Sequence, residues 1–213
     1  MSESIVGPGE FYQVVGVGPH SKPWPTDNHF DQALLEHGDR RNVLDKYRYW
    51  TVEAIVAELD TKRHDLQIAI ENWQHDLNIG SIVRTANAFN VSAVHIVGKR
   101  DWNKRGAMVT DRYLTVIHHS TIADFAQWCT ENNLPIIGID NVPSSKHLEG
   151  AELPEKCVLL FGQEGAGMSD EGVEVCSVLY AIEQYGSTRS MNASAAGAIA
   201  MYHWALQHLP RQN

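Results

Sequence analysis

Three stretches hold polar side chains in settings that plain scaffold does not need. In "NIGSIVRTANAF" (78–89), Arg84 sits in a helical pattern with no Glu or Asp three or four positions away, the usual pairing for an exposed helical arginine. At about 100° per residue, Ile79, Ile82, Val83, Ala86 and Phe89 share one face and Arg84 points roughly opposite. Its neighbours Gly80, Ser81, Asn87 and Ala88 are small, which would let a large polar object approach the guanidinium; a solvated arginine on an amphipathic helix fits the same pattern. In "LLFGQEGAGMSDE" (159–171), a strand runs into Gly162, Glu164, Gly165 and Gly167. Glycines there let the backbone turn tightly and approach a ligand, and Ser169 can cap the helix that follows. The pattern is neither GxGxxG nor GxxxxGK[ST], so it gives little support to a dinucleotide or P-loop site. In "QYGSTRSMNASAAGAIA" (184–200), a polar loop enters a helix whose first turns are almost all small, as if something must pass tightly beside it. Taken alone, that stretch is an ordinary helix capped by Ser190 or Asn192.

The elements around these stretches alternate. Apolar runs at 66–72, 93–98, 114–119, 134–140, 157–162 and 178–182 read as strands, and 80–89, 121–133, 169–176 and 191–209 as helices, the second after a Thr121 cap. Continuous apolar strands alternating with helices imply an α/β fold with a mostly parallel sheet covered by helices on both faces. Residues 1–45 are rich in Gly, Pro, Asn, Asp and His and read as an irregular extension in which only "DQALLEHGDRRNVLDKY" suggests a helix. The main domain is expected over 46–213. It opens with "KYRYW", a hydrophobic anchor or, alternatively, a base-stacking segment.

Composition narrows the function. At 213 residues with 43% hydrophobic and 20% charged side chains, the chain is an ordinary globular protein with room for one good-sized domain and an appended segment. Neither a membrane-spanning run nor a secretory start is apparent, so the cytoplasm is the expected location. Cys129, Cys157 and Cys176 are widely spaced and no HExxH occurs, so neither disulfide nor metal is expected. The formal charge of -9 argues against coating nucleic acid non-specifically. Locally the balance reverses: Lys99, Arg100, Lys104 and Arg105, with Arg112 just beyond, form a basic connection where mobile cations could track phosphates.

Together the motifs "NIGSIVRTA", "LLFGQEGAGMS" and "YGSTRSMNASAAGA" resemble, in order and spacing, those of the SpoU/TrmH branch of the SPOUT RNA methyltransferases, over about residues 66–209. The resemblance implies a deep C-terminal trefoil knot, with knot and cofactor site at about 157–209, and S-adenosylmethionine (SAM) as cofactor. It also implies RNA as substrate and a homodimer sharing its active site. It carries catalytic roles to Asn78, Arg84, Glu164, Ser190 and Asn192, and cofactor contacts to Leu160, Phe161, Gly162, Glu164, Gly167, Ile182, Met191 and Ala193. Two departures stand out. Met168 and Met191 replace Leu, a mild change, whereas Glu183 stands where the family has Pro, exchanging a stiff turn for a flexible charged one.

The implied reaction moves a methyl group from SAM to a ribose 2′-hydroxyl, with tRNA favoured over rRNA by the compact domain. Arg84 would act as a base assisted by an RNA phosphate or, at less cost given a guanidinium pKa above about 12, as a clamp on phosphate and forming alkoxide. Two other readings stand beside it: a knotted RNA-binding protein without activity, and a SAM enzyme acting on something other than RNA.

Overall fold

A computed structural model describes residues 16–74 and 78–210. The chain divides into two compact units, 1–58 and 59–213. The boundary expected at about 45 lies within the first, in the 3-10 turn Asp45–Tyr47.

In the first unit, helix α1 (Gln32–His37) starts where the Asp31 carboxylate accepts the Ala33 and Leu34 amides at 2.9 and 3.2 Å, and stops at Gly38. The fully buried Asp39 follows. Burial alone would raise its carboxyl pKa, but hydrogen bonds from Arg41 and the Tyr49 amide outweigh that and hold it below the usual range. The aromatics of "KYRYW" are spent on packing: Tyr47 is buried with its ring 5.5 Å from Trp50, and the Tyr49 hydroxyl donates to the Gly18 carbonyl at 2.7 Å. These contacts lie within this unit. Helix α2 (Val52–Asp60) closes the unit and enters the next.

The second unit is built on strands β1 (His64–Asn72), β2 (Val91–Gly98), β3 (Val116–His119), β4 (Ile136–Ile139), β5 (Lys146–His147), β6 (Cys157–Phe161) and β7 (Val178–Ala181). They form one sheet in the order β3-β2-β1-β6-β4-β7-β5, and every neighbouring pair is parallel. Alternation along the strands makes two cores. Ile68, Ile70, Leu159 and Phe161 pack with helices α3 (Asn78–Ala88) and α6 (Ala193–His208). Ala69, Val158 and Leu160 pack with Phe125 of α4 (Ile122–Glu131) and with Met168, which precedes α5 (Asp170–Val175). The expected α/β sheet with both faces covered is what the chain forms. Thr121 caps α4, accepting the Asp124 amide at 3.1 Å while the Asp124 carboxylate takes the Thr121 amide. Strand β5 escapes a hydrophobic reading because both its residues are exposed. Among the described residues no helix is long and apolar enough to cross a membrane.

At the edge of the α4 face, His95 and His119 are buried side by side, their ring nitrogens 2.9 Å apart, and His95 also bonds Gln67 at 2.7 Å. Burial, helped by the neighbouring His119, pushes the His95 pKa down to about 3, and burial lowers that of His119 too.

Candidate active site

The glycine cluster after β6 folds back on itself. A Cβ on Gly162 would lie 2.2 Å from the Met168 nitrogen and 2.3 Å from the Gly167 carbonyl carbon, so only glycine fits. Gln163 and Gly167 exchange backbone hydrogen bonds at 3.0 and 2.9 Å, with Gly165 and Gly167 at φ +84° and +73°. This closed loop leaves Glu164 exposed at its tip. Asp140, just past β4, fastens the loop by accepting the Met168 amide at 2.6 Å. Beneath it the fully buried Glu71 accepts the Ser169 amide at 2.9 Å and the Ser169 hydroxyl. Burial raises the Glu71 pKa and the Ser169 bonds offset this only in part. Ser169 caps α5 as expected, accepting the Gly172 amide at 3.0 Å.

The three motifs meet beside this loop. The Asn78 side-chain amide, at the start of α3, donates to the Glu164 carboxylate. Asn192 donates to the Asn78 side-chain oxygen at 2.8 Å and to Glu164 at 3.4 Å. The same Asn192 caps α6 through the Ser194 amide at 3.0 Å. Residues far apart in sequence are thereby joined in one polar network. Gly197 of α6 is buried against Ile82 of α3, where a Cβ would make ordinary contact at 3.4 Å.

A cavity of about 800 Å³ opens at the carboxyl ends of β4, β6 and β7, the end of a parallel sheet at which ligands bind. Of the expected cofactor contacts, Phe161, Gly162, Glu164, Gly167, Ile182, Met191 and Ala193 line it. Leu160 does not; the strand's alternation turns it into the core on the α4 face. Ser190 and Asn192 line the cavity and are exposed. Asp140, Gln184 and Arg189 also line it and were not singled out from the sequence. The acid directly after the apolar run "LPIIGI" was the available signal for Asp140. Glu183 is held without a proline ring: its amide donates to Glu149 at 3.1 Å and its carboxylate accepts the Tyr185 hydroxyl at 2.8 Å. A proline has no amide hydrogen for the first of these bonds. His147, Glu149 and Glu183, all exposed, bring their polar atoms within 4.8 Å of one another at this rim.

Arg84 is exposed, neither lines the cavity nor joins the asparagine network, and has no ion pair or side-chain hydrogen bond among the described residues. Two of the small residues near it, Gly80 and Ser81, pack against a second segment. A Cβ on Gly80 would lie 2.8 Å from the Ala107 nitrogen, and one on Gly106 would lie 2.9 Å from the Ser81 nitrogen. They let the basic segment pack against α3. In that segment Lys99 and Arg100 lie in irregular chain, followed by two 3-10 turns, Lys104–Ala107 and Thr110–Tyr113, the second containing Arg112. The Asn72 side chain pins its start, donating to the Lys99 and Asp101 carbonyls at 2.7 and 3.0 Å. Lys104 pairs with Asp111 at 2.9 Å, while Lys99, Arg100, Arg105 and Arg112 are exposed.

Residues 65–202 match the model of the SpoU rRNA methylase family. The tRNA (guanosine(18)-2'-O)-methyltransferase of Escherichia coli strain K12 is 26% identical over 164 residues, covering 75% of this chain and 70% of the relative. The TrmH/SpoU tRNA modifying enzyme of A. aeolicus superimposes with a TM-score of 0.64 at 23% identity, over 73% of this chain and 83% of the other. The SpoU methyltransferase AviRb of Streptomyces viridochromogenes, solved in complex with the cofactor AdoMet, gives 0.61 at 22% identity, over 68% and 58%.

Proposed function

The chain belongs to the SpoU family of RNA methylases, and from that membership we propose a division of labour for its residues in SAM-dependent methylation of an RNA ribose 2′-hydroxyl, with tRNA the favoured substrate. The observation that carries it is the network in which Asn78, Glu164 and Asn192 join the three motifs at the cavity. The cavity fits SAM: its loops offer backbone polar groups, and Asp140, Glu164 and Glu183 put three carboxylates around a cofactor that bears a sulfonium. When bound, SAM supplies an electrophilic methyl group. Gly162 and Gly167 let the loop approach it closely, Glu164 fixes that loop, and Asn78 and Asn192 orient Glu164 and the ribose. Ser190 contacts the ribose at the cavity mouth.

Arg84 faces away from its own chain's network, so the reading has it act on the site of a second copy. The exposed stripe Ile199, Tyr202 and Leu206 on α6, at 42, 57 and 53% exposure, supports such a pairing. These residues recur on one face at helical spacing, and an exposed apolar stripe marks an interaction surface. There Arg84 would hold a phosphate and steady the forming alkoxide. The basic turns beside α3, with Lys99, Arg100, Lys104, Arg105 and Arg112, are proposed to carry the flanking RNA. Threading of 157–209 as a trefoil knot belongs to the same reading and is supported by β4 lying between two later strands.

The test incubates labelled SAM with separate tRNA and rRNA pools and maps the methylated nucleotide. Label in a tRNA ribose is the expected result. Label in rRNA alone moves the substrate, and label in neither overturns the reading.

A further inference from the structure

We infer that Arg189 holds the backbone phosphate next to the target ribose, an assignment that rests on the RNA-methylating reading above. Arg189 is the one Lys or Arg among the described residues lining the cavity, against the carboxylates of Asp140, Glu164 and Glu183. Those acids suit a cationic cofactor, but they oppose the phosphate that must accompany any ribose brought to the cavity mouth. The 2′-oxygen is bonded to C2′ and the 3′-phosphate hangs from the adjacent carbon, so one cannot be delivered without the other. A cation at the rim is what the site then requires.

The structure fixes the backbone at this position while leaving the side chain uncommitted. The Arg189 carbonyl accepts from the Asn141 side chain at 2.9 Å and from Gln184 at 3.3 Å, tying the loop to the end of β4. The residue is exposed, and its guanidinium has no ion pair or hydrogen bond among the described residues. It immediately precedes Ser190 and lies four residues before the first residue of α6, beside the network that joins the motifs. Guanidinium offers phosphate a bidentate, charge-assisted fork, whereas lysine offers a point charge.

The experiment compares the full-length protein with Arg189→Ala and Arg189→Lys. SAM affinity is measured by calorimetry, tRNA affinity across a salt series by filter binding, and methyl transfer at saturating SAM. Expected for Arg189→Ala are unchanged SAM affinity, a KM for tRNA raised roughly tenfold, and a salt slope reduced by about one, the signature of one lost phosphate contact. Arg189→Lys should restore the slope but only part of the KM. An unchanged slope and KM overturn the assignment, as does a loss confined to SAM affinity, which would put Arg189 on the cofactor's own carboxylate. Wild-type protein that binds tRNA but transfers no methyl group would sink the enzymatic reading and this assignment with it, whereas failure of the Arg189 assignment alone leaves wild-type methyl transfer intact.

Discussion

Arg84 and Asn78 lie within two turns of one helix, yet only Asn78 is bonded to the other two motifs. That separation makes the arginine a clean target, since its loss removes no buried contact. Arg84→Ala should keep its melting temperature and SAM affinity while losing methyl transfer by orders of magnitude. Arg84→Lys should recover little if the planar fork matters; near-normal turnover in both variants would identify a merely solvated side chain. Asn78, Arg84, Glu164, Ser190 and Asn192 were legible through the resemblance of three ordered motifs to the SpoU/TrmH enzymes, which carries the family's positions onto these residues. Asp140 and Arg189 were not legible that way. Their partners, the Met168 amide and the side chains of Asn141 and Gln184, are brought to them by folding, and no local periodicity reports such contacts.

Among the elements, strands written as apolar runs were readable, and so were the caps at Thr121 and Ser169, because each follows from nearby residues alone. The 3-10 turns of the basic segment were not, since they depend on Gly80 and Gly106 admitting two backbones side by side. The loop after β6 gives a sharper expectation than cofactor crowding would. Gly162→Ala places a methyl group against the Met168 and Gly167 backbone, where it cannot be accommodated by rotating a side chain. It should abolish SAM binding by calorimetry while circular dichroism shows the sheet retained; binding at parental affinity would contradict the geometry. The buried histidine pair makes a different prediction. The unfolded chain protonates His95 below its ordinary pKa of 6.5, whereas the folded chain resists until about 3. Stability is therefore full above pH 6.5 and falls as pH drops, by at most about 1.4 kcal/mol per pH unit for this group. Urea midpoints at pH 7 and pH 5 should show the fall, and His95→Gln should flatten it despite a lower midpoint at pH 7.

At the scale of the whole molecule, the formal charge of -9 coexists with a basic strip beside α3 and an apolar stripe on α6. If the stripe joins two copies, Leu206→Glu should halve the mass measured by sedimentation and remove methyl transfer, because Arg84 would lose the site it serves. SAM affinity should persist wherever the loop after β6 survives intact. A protein of unchanged mass would show that the stripe faces something else. Nothing along one chain writes the identity of a second surface, which is why this level was reached through family resemblance and not through periodicity.

The sheet order has a consequence for how the chain acquires its shape during synthesis. Strand β4 pairs only with β6 and β7, and both come after it. While the ribosome is still making residues 140–156, Ile136–Ile139 has no strand to join, and one edge of β1 is open. Pairings between distant segments form slowly, and an open apolar edge in the meantime invites association with other chains. Cys157–Phe161 closes both vacancies in one step, so a chain cut before Cys157 should aggregate, and the loop that carries Glu164 is built directly onto the strand that joins β1 to β4.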